Sequence, residues 1–154
     1  MIHYIILRAT VHATEDRSRV RTALDLFLPA PAGKSKDHDD LVDTLEVQGH
    51  YDNPITMLSA KIDRKAQTSA IVKYIREHLS SEDVVTLNNE IQERLDDDQL
   101  LFLRFDKQKA YQGLLKLSSS SDAIIVRIKI ATYPKNREKA IEIVEDLLVP
   151  TKVL

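Results

Sequence analysis

Cysteine is absent from the 154 residues, which removes disulfides, thiolate metal sites and cysteine nucleophiles and leaves stability to packing. Tryptophan is absent too, and Phe and Tyr bring the aromatic share to only 5%, a poor supply of exposed rings for a base-stacking platform. Glycine occurs three times, at Gly33, Gly49 and Gly113, so there is neither a P-loop nor a GxxG clamp. No apolar run exceeds four residues, as at Tyr4 to Leu7, far below the ~20 residues of a transmembrane helix. The first residues lack the basic, apolar, small-residue order of a secretion signal, so a cytoplasmic protein without membrane attachment is expected.

What is present suits one domain over residues 1–154, with 43% hydrophobic residues for a single core. His3, Ile5, Leu7, Ala9, Val11 and Ala13 alternate with Tyr4, Ile6, Arg8, Thr10 and His12, the pattern of a half-buried strand. Thr14 is placed to cap a following helix in which Val20, Ala23, Leu24 and Phe27 recur at helical spacing, stopped by Pro29 and Pro31. Strands are expected over about 41–48 and 55–62, then a helix from an Asp63 cap to Leu79 with His78 on its packing stripe. A second helix follows from Glu82. The remainder reads as a strand over 99–105, a turn over 106–113, a short strand over 114–117, a strand over 123–132 and a helix over 136–148. This order does not repeat as βαβ, so the expected fold is α+β: a largely antiparallel or mixed sheet with helices packed on one face.

The net charge of −2 argues against a generic polyanion binder, but its distribution does not. Between Arg104 and Lys139 stand nine basic residues, among them Lys107, Lys135 and Arg137, against three acidic ones. That local excess of six leaves −8 for the rest of the chain. In the strand containing them, Arg127 and Lys129 alternate with Ile124, Val126, Ile128 and Ile130. With helices over the apolar side, Arg8, Thr10, His12, Arg104, Arg127 and Lys129 collect on the open one. Such a face is either an ordinary solvated sheet surface or an anion-binding strip.

The stretch Gly49-His50-Tyr51-Asp52-Asn53-Pro54-Ile55 is either a plain hairpin connection or a ligand-contact loop, because its turn formers also carry outward hydrogen-bonding groups. Together with Val11-His12-Ala13-Thr14-Glu15-Asp16, Leu103-Arg104-Phe105-Asp106-Lys107-Gln108-Lys109-Ala110-Tyr111, Val126 to Ile130 and Tyr133 to Glu138, it resembles the archaeal family of predicted RNA-binding proteins or exosome subunits. The resemblance implies a fold similar to the ribosomal protein that binds 5S RNA, and an RNA-linked role. The family carries a glycine where this chain has Asp52, whose charge opposes a phosphate there.

Catalytic patterns are weak: His3, His12, His38, His50 and His78 show no metal-ligand spacing, and no GxSxG elbow exists. The expected function is therefore non-catalytic RNA binding without cofactor or metal, as an accessory of RNA processing or the exosome. The expected contacts are Arg8, His12, His50, Asn53, Arg104, Lys107, Arg127, Lys129, Lys135 and Arg137, acting on backbone and shape rather than on stacked bases. Two alternatives stay open: a protein-interaction module that binds an acidic partner or self-associates, and a phosphodiesterase using His12 and His50 as acid and base.

Overall fold

The computed structural model describes residues 1–28, 41–48 and 54–149. Its elements run β1 (Ile2–Val11), α1 (Arg17–Asp25), β2 (Asp43–Gln48), β3 (Pro54–Ile62), α2 (Lys65–His78), α3 (Ser81–Arg94), β4 (Leu100–Phe105), α4 (Lys107–Tyr111), β5 (Ile124–Ile130) and α5 (Arg137–Leu148). The five strands form one antiparallel sheet in the order β2-β3-β1-β5-β4. The fold is α+β, as expected.

Alternation decides the two faces of the sheet. Ile5, Leu7, Ala9 and Val11 of β1 are buried, as are Leu58, Ala60 and Ile62 of β3, Leu101, Leu103 and Phe105 of β4, and all four apolar alternates of β5. They join the helical stripes Val20/Ala23/Leu24, Ile71/Val72/Ile75, Leu87/Ile91 and Ala140/Val144/Leu148 in one core. Phe27, just after α1, meets Phe105 at 5.0 Å between ring centroids and locks that end of the sheet to its helices. Truncating a fully buried core residue such as Leu103 costs about 2–5 kcal/mol. No helix among the described residues is long and apolar enough to cross a membrane.

Local signals differ from expectation at several points. Asp16, not Thr14, caps α1, accepting from Ser18 N at 2.9 Å; β1 ends at Val11, and Glu15 N closes a turn on His12 O at 2.9 Å, which delays the helix. Asp63 lies one residue too early to cap α2, whose N-cap Arg64 has no side-chain cap bond. Within the expected turn, residues 107–111 form a short helix, because Asp106 caps it through Lys109 N at 2.8 Å and Gly113, at φ 85°, turns the chain away. No strand forms over 114–117; only Leu117 bridges Phe105. His78 ends α2 exposed and off the packing stripe, its ring folded back onto Tyr74 at 4.2 Å with Nδ1 2.9 Å from Tyr74 O.

Candidate functional site

The sheet face opposite the helices carries the chain's basic register. Antiparallel pairing sets residues of one row on the same side. One row runs Ser59–Arg8–Ile125–Arg104 and the next Lys61–Ile6–Arg127–Phe102, with Tyr4, Lys129 and Leu100 forming a third over β1, β5 and β4. With strands about 4.8 Å apart, cations two strands distant stand roughly 10 Å from one another at the backbone. Long side chains thus distribute positive charge over the whole β1-β5-β4 half of the face.

Among the described residues, Arg8, Lys61, Arg104 and Arg127 form no ion pair. Two of them lie over rings instead: the Lys61 ammonium is 4.7 Å from the Tyr4 centroid, and the Arg127 guanidinium is 5.1 Å from that of Phe102. Arg127 Nε is buried without a hydrogen-bond partner, which leaves the terminal amino groups as that guanidinium's outward donors. The same two contacts occupy the only aromatic rings on this half of the face among the described residues.

The remaining expected contacts divide. The Lys129 ammonium donates to the Asp98 carbonyl, and exposed Lys135 stands 3.8 Å from the Asp98 carboxylate, so both belong to the rim beside the Asp96–Asp98 turn. Arg137 is engaged inside the chain, donating to Gln92 O at 2.6 Å and Asp96 O at 3.2 Å, where it closes the carbonyl end of α3. His50 and Asn53, with Gly49 to Asp52, lie outside the described residues. Lys61 was not among the sequence candidates, although its alternation with Leu58, Ala60 and Ile62 marks it for the open face.

Lys107 is drawn inward, with only 11% of its side chain exposed. Its ammonium donates to Thr10 O at 2.6 Å and to Glu15 Oε1 at 3.0 Å, and lies 2.7 Å from Asp122 Oδ1. His12 joins through Nε2, 3.2 Å from Asp122 Oδ1, while its backbone N donates to Glu15 at 2.9 Å. Burial alone pushes the Asp122 carboxyl up, but the Lys107 ammonium and His12 outweigh it and hold that group below its ordinary value. Ligand atoms of His12, Glu15 and Asp122 fall within 4.8 Å of one another. The lysine already supplies the positive charge these carboxylates share, so the cluster works as an internal ion-pair network.

The sequence profile of a family described as RNA binding matches residues 4–130. The chain is 34% identical to RNA-binding protein PAB1135 of Pyrococcus abyssi over 146 residues, covering 95% of this chain and 93% of the other. Protein AF2318 from Archaeglobus fulgidus, of the DUF54 family, has a similar structure with a TM-score of 0.80, 30% identity and coverage of 96% and 99%. A DUF54 protein from Methanothermobacter thermautotrophicus is similar at a TM-score of 0.73, again with 30% identity, over 96% and 98%.

Proposed function

We propose that this chain, which belongs to the RNA-binding family, holds RNA on the open face over β1, β5, β4 and the Lys61 end of β3 through its phosphate backbone, without catalysis. The observation that carries the reading is the set of four cations, Arg8, Lys61, Arg104 and Arg127, on one sheet face with no ion pair among the described residues. Neutralising phosphates releases counterions and supplies affinity without base contacts. Arginine adds bidentate recognition of phosphate oxygens. The Lys61–Tyr4 and Arg127–Phe102 contacts hold two of these side chains ordered before any ligand arrives, at about 0.5–1 kcal/mol each where exposed.

Lys129 and Lys135 extend the strip along its rim, and an accessory role in RNA processing in the cytoplasm is part of the same proposal. The test is a salt series of RNA affinity measured by fluorescence anisotropy. Arg104→Glu with Arg127→Glu is expected to lower the slope of log affinity against log salt by about two contacts' worth. Lys65→Glu with Lys73→Glu, exposed on α2, is the control and should leave it unchanged. A folded Arg104/Arg127 variant with wild-type affinity and slope would remove this face from the binding site. Recovery of processing proteins with the wild-type chain from cells, lost after nuclease treatment, would support the accessory role; recovery of RNA alone would refute it.

A further inference from the structure

The two edges of the sheet are finished differently. Along the outer edge of β4, Leu100 O accepts from Asp96 N at 3.1 Å and Leu100 N donates to Asp96 Oδ1 at 2.9 Å. Leu101 bridges Leu95. The Phe102 carbonyl accepts from Arg94 at 3.3 Å, and that of Arg104 from Ser118 N at 2.9 Å. This edge is closed by its own chain, the usual protection against pairing with another strand. β2 is the opposite edge, and among the described residues it has no hydrogen-bonding partner except β3.

The side chains of β2 protect it only in part, since Asp43 and Glu46 are charged but Leu45 and Val47 are exposed and apolar. Asp43, Leu45 and Val47 share the open face with Ser59, Met57 and Ile55 by register. Leu45 is 60% exposed and Val47 37%. They extend the half-buried Ile55 and Met57 into an apolar strip that reaches the unpaired edge. The open face is thus divided, basic over β1, β5, β4 and the Lys61 end of β3, and apolar over β2 and the Ile55–Met57 part of β3. Unpaired backbone beside exposed aliphatic side chains is a template for an added strand.

We propose that β2 pairs antiparallel with β2 of a second copy, about a two-fold axis through Leu45, joining the two sheets into one. Opposed residues must share a face, so only registers that match odd with odd positions keep both apolar strips together. Centring on Leu45 sets it against the partner's Leu45, Thr44 against the partner's Glu46 and Asp43 against the partner's Val47. Centring on Glu46 would oppose two carboxylates, and centring on Thr44 would leave Val47 without an opposite residue in the strand. The strand is therefore self-complementary in one register, as a two-fold interface requires. The two apolar strips merge across the axis, and both basic halves face the same way. A single short strand pair buries less than an obligate interface does, so association depends on concentration. The pairing does not depend on RNA binding.

The test is sedimentation velocity of the full chain over a concentration series, with circular dichroism to verify folding. The wild type should form dimers as concentration rises. Leu45→Glu and Leu45→Lys should each weaken association by about tenfold or more, because like charges then oppose across the axis. An equimolar mixture of the two should restore it, since position 45 faces its own counterpart. Dimers in either single variant at wild-type strength, no rescue in the mixture, or a wild type monomeric at its highest soluble concentration would each overturn the proposal. Should either variant fail to fold, hydrogen exchange of the wild-type β2 amides decides. Protection that rises with concentration supports the pairing, and protection that does not change refutes it.

Discussion

Lys107 Nζ lies 2.7 Å from Asp122 Oδ1, a contact that ties α4 to the approach of β5, while Glu15 brings in the turn after β1 at 3.0 Å. Three segments distant in sequence thus share one cation, which makes this lysine a structural residue despite its place in the basic stretch.

Lys107→Met should destabilise the protein by about 1–3 kcal/mol, since Glu15 and Asp122 lose their shared partner. The lower part of that range is expected because Asp122 is 45% exposed and screened by water. Urea unfolding measures the loss. RNA affinity of the folded variant should keep its wild-type salt slope, and wild-type stability would show that the network contributes nothing.

Acid should weaken the same network. The Asp122 carboxyl is held below its ordinary value of 3.8 in the folded chain, so the unfolded chain takes up the proton first. Its stabilisation is complete above the ordinary carboxylate range and disappears as pH falls through the depressed value. Asp122→Asn should therefore flatten the fall in stability below about pH 4. Identical acid profiles for the two proteins would refute this linkage.

Arg137→Ala and Arg104→Ala should separate two kinds of arginine. Loss of Arg137 removes donors to Gln92 O of α3 and to Asp96 O just beyond it, and should cost about 0.5–1.5 kcal/mol of stability, with the salt slope unchanged. Loss of Arg104 should leave stability within about 0.5 kcal/mol while RNA affinity and slope decline. The reversed pattern in paired unfolding and binding measurements would contradict both assignments.

Lys61→Ala should lower the salt slope of RNA binding by about one unit, although this lysine lies far in sequence from the basic stretch. It lies over Tyr4 at 4.7 Å and in the same row as Arg127, with Ile6 between them. An unchanged slope would confine the site to β1, β5 and β4.

Chelation should leave the melting temperature unchanged, because the Lys107 ammonium occupies the charge position among His12, Glu15 and Asp122. A fall in melting temperature with EDTA, restored by a divalent cation, would overturn that assignment.

Much of the fold was legible in one dimension because burial of one face imposes its own period. Alternation at Ile124, Val126, Ile128 and Ile130 places Arg127 and Lys129 on the other side of β5, and the helical stripes of α1 and α5 follow from spacing alone. Caps were less legible, since Thr14, Asp16 and Asp63 all have side chains able to accept a bond and only local backbone geometry chooses among them.

Pairing across long separations was decided only by the tertiary structure. Lys107 and Arg104 look equivalent in a basic stretch, yet Lys107 meets Glu15 and Asp122 whereas Arg104 stands on the open face of the sheet. Arg137 likewise closes the end of α3, and Lys61 joins a face whose other cations come from three other strands. Strand order also leaves β2 unpaired at one edge among the described residues, while Asp96, Arg94 and Ser118 close the other. Hydrophobic period reports which side of an element is buried. The partner each charge meets depends on which elements the packed core brings together, and that is a property of the whole chain.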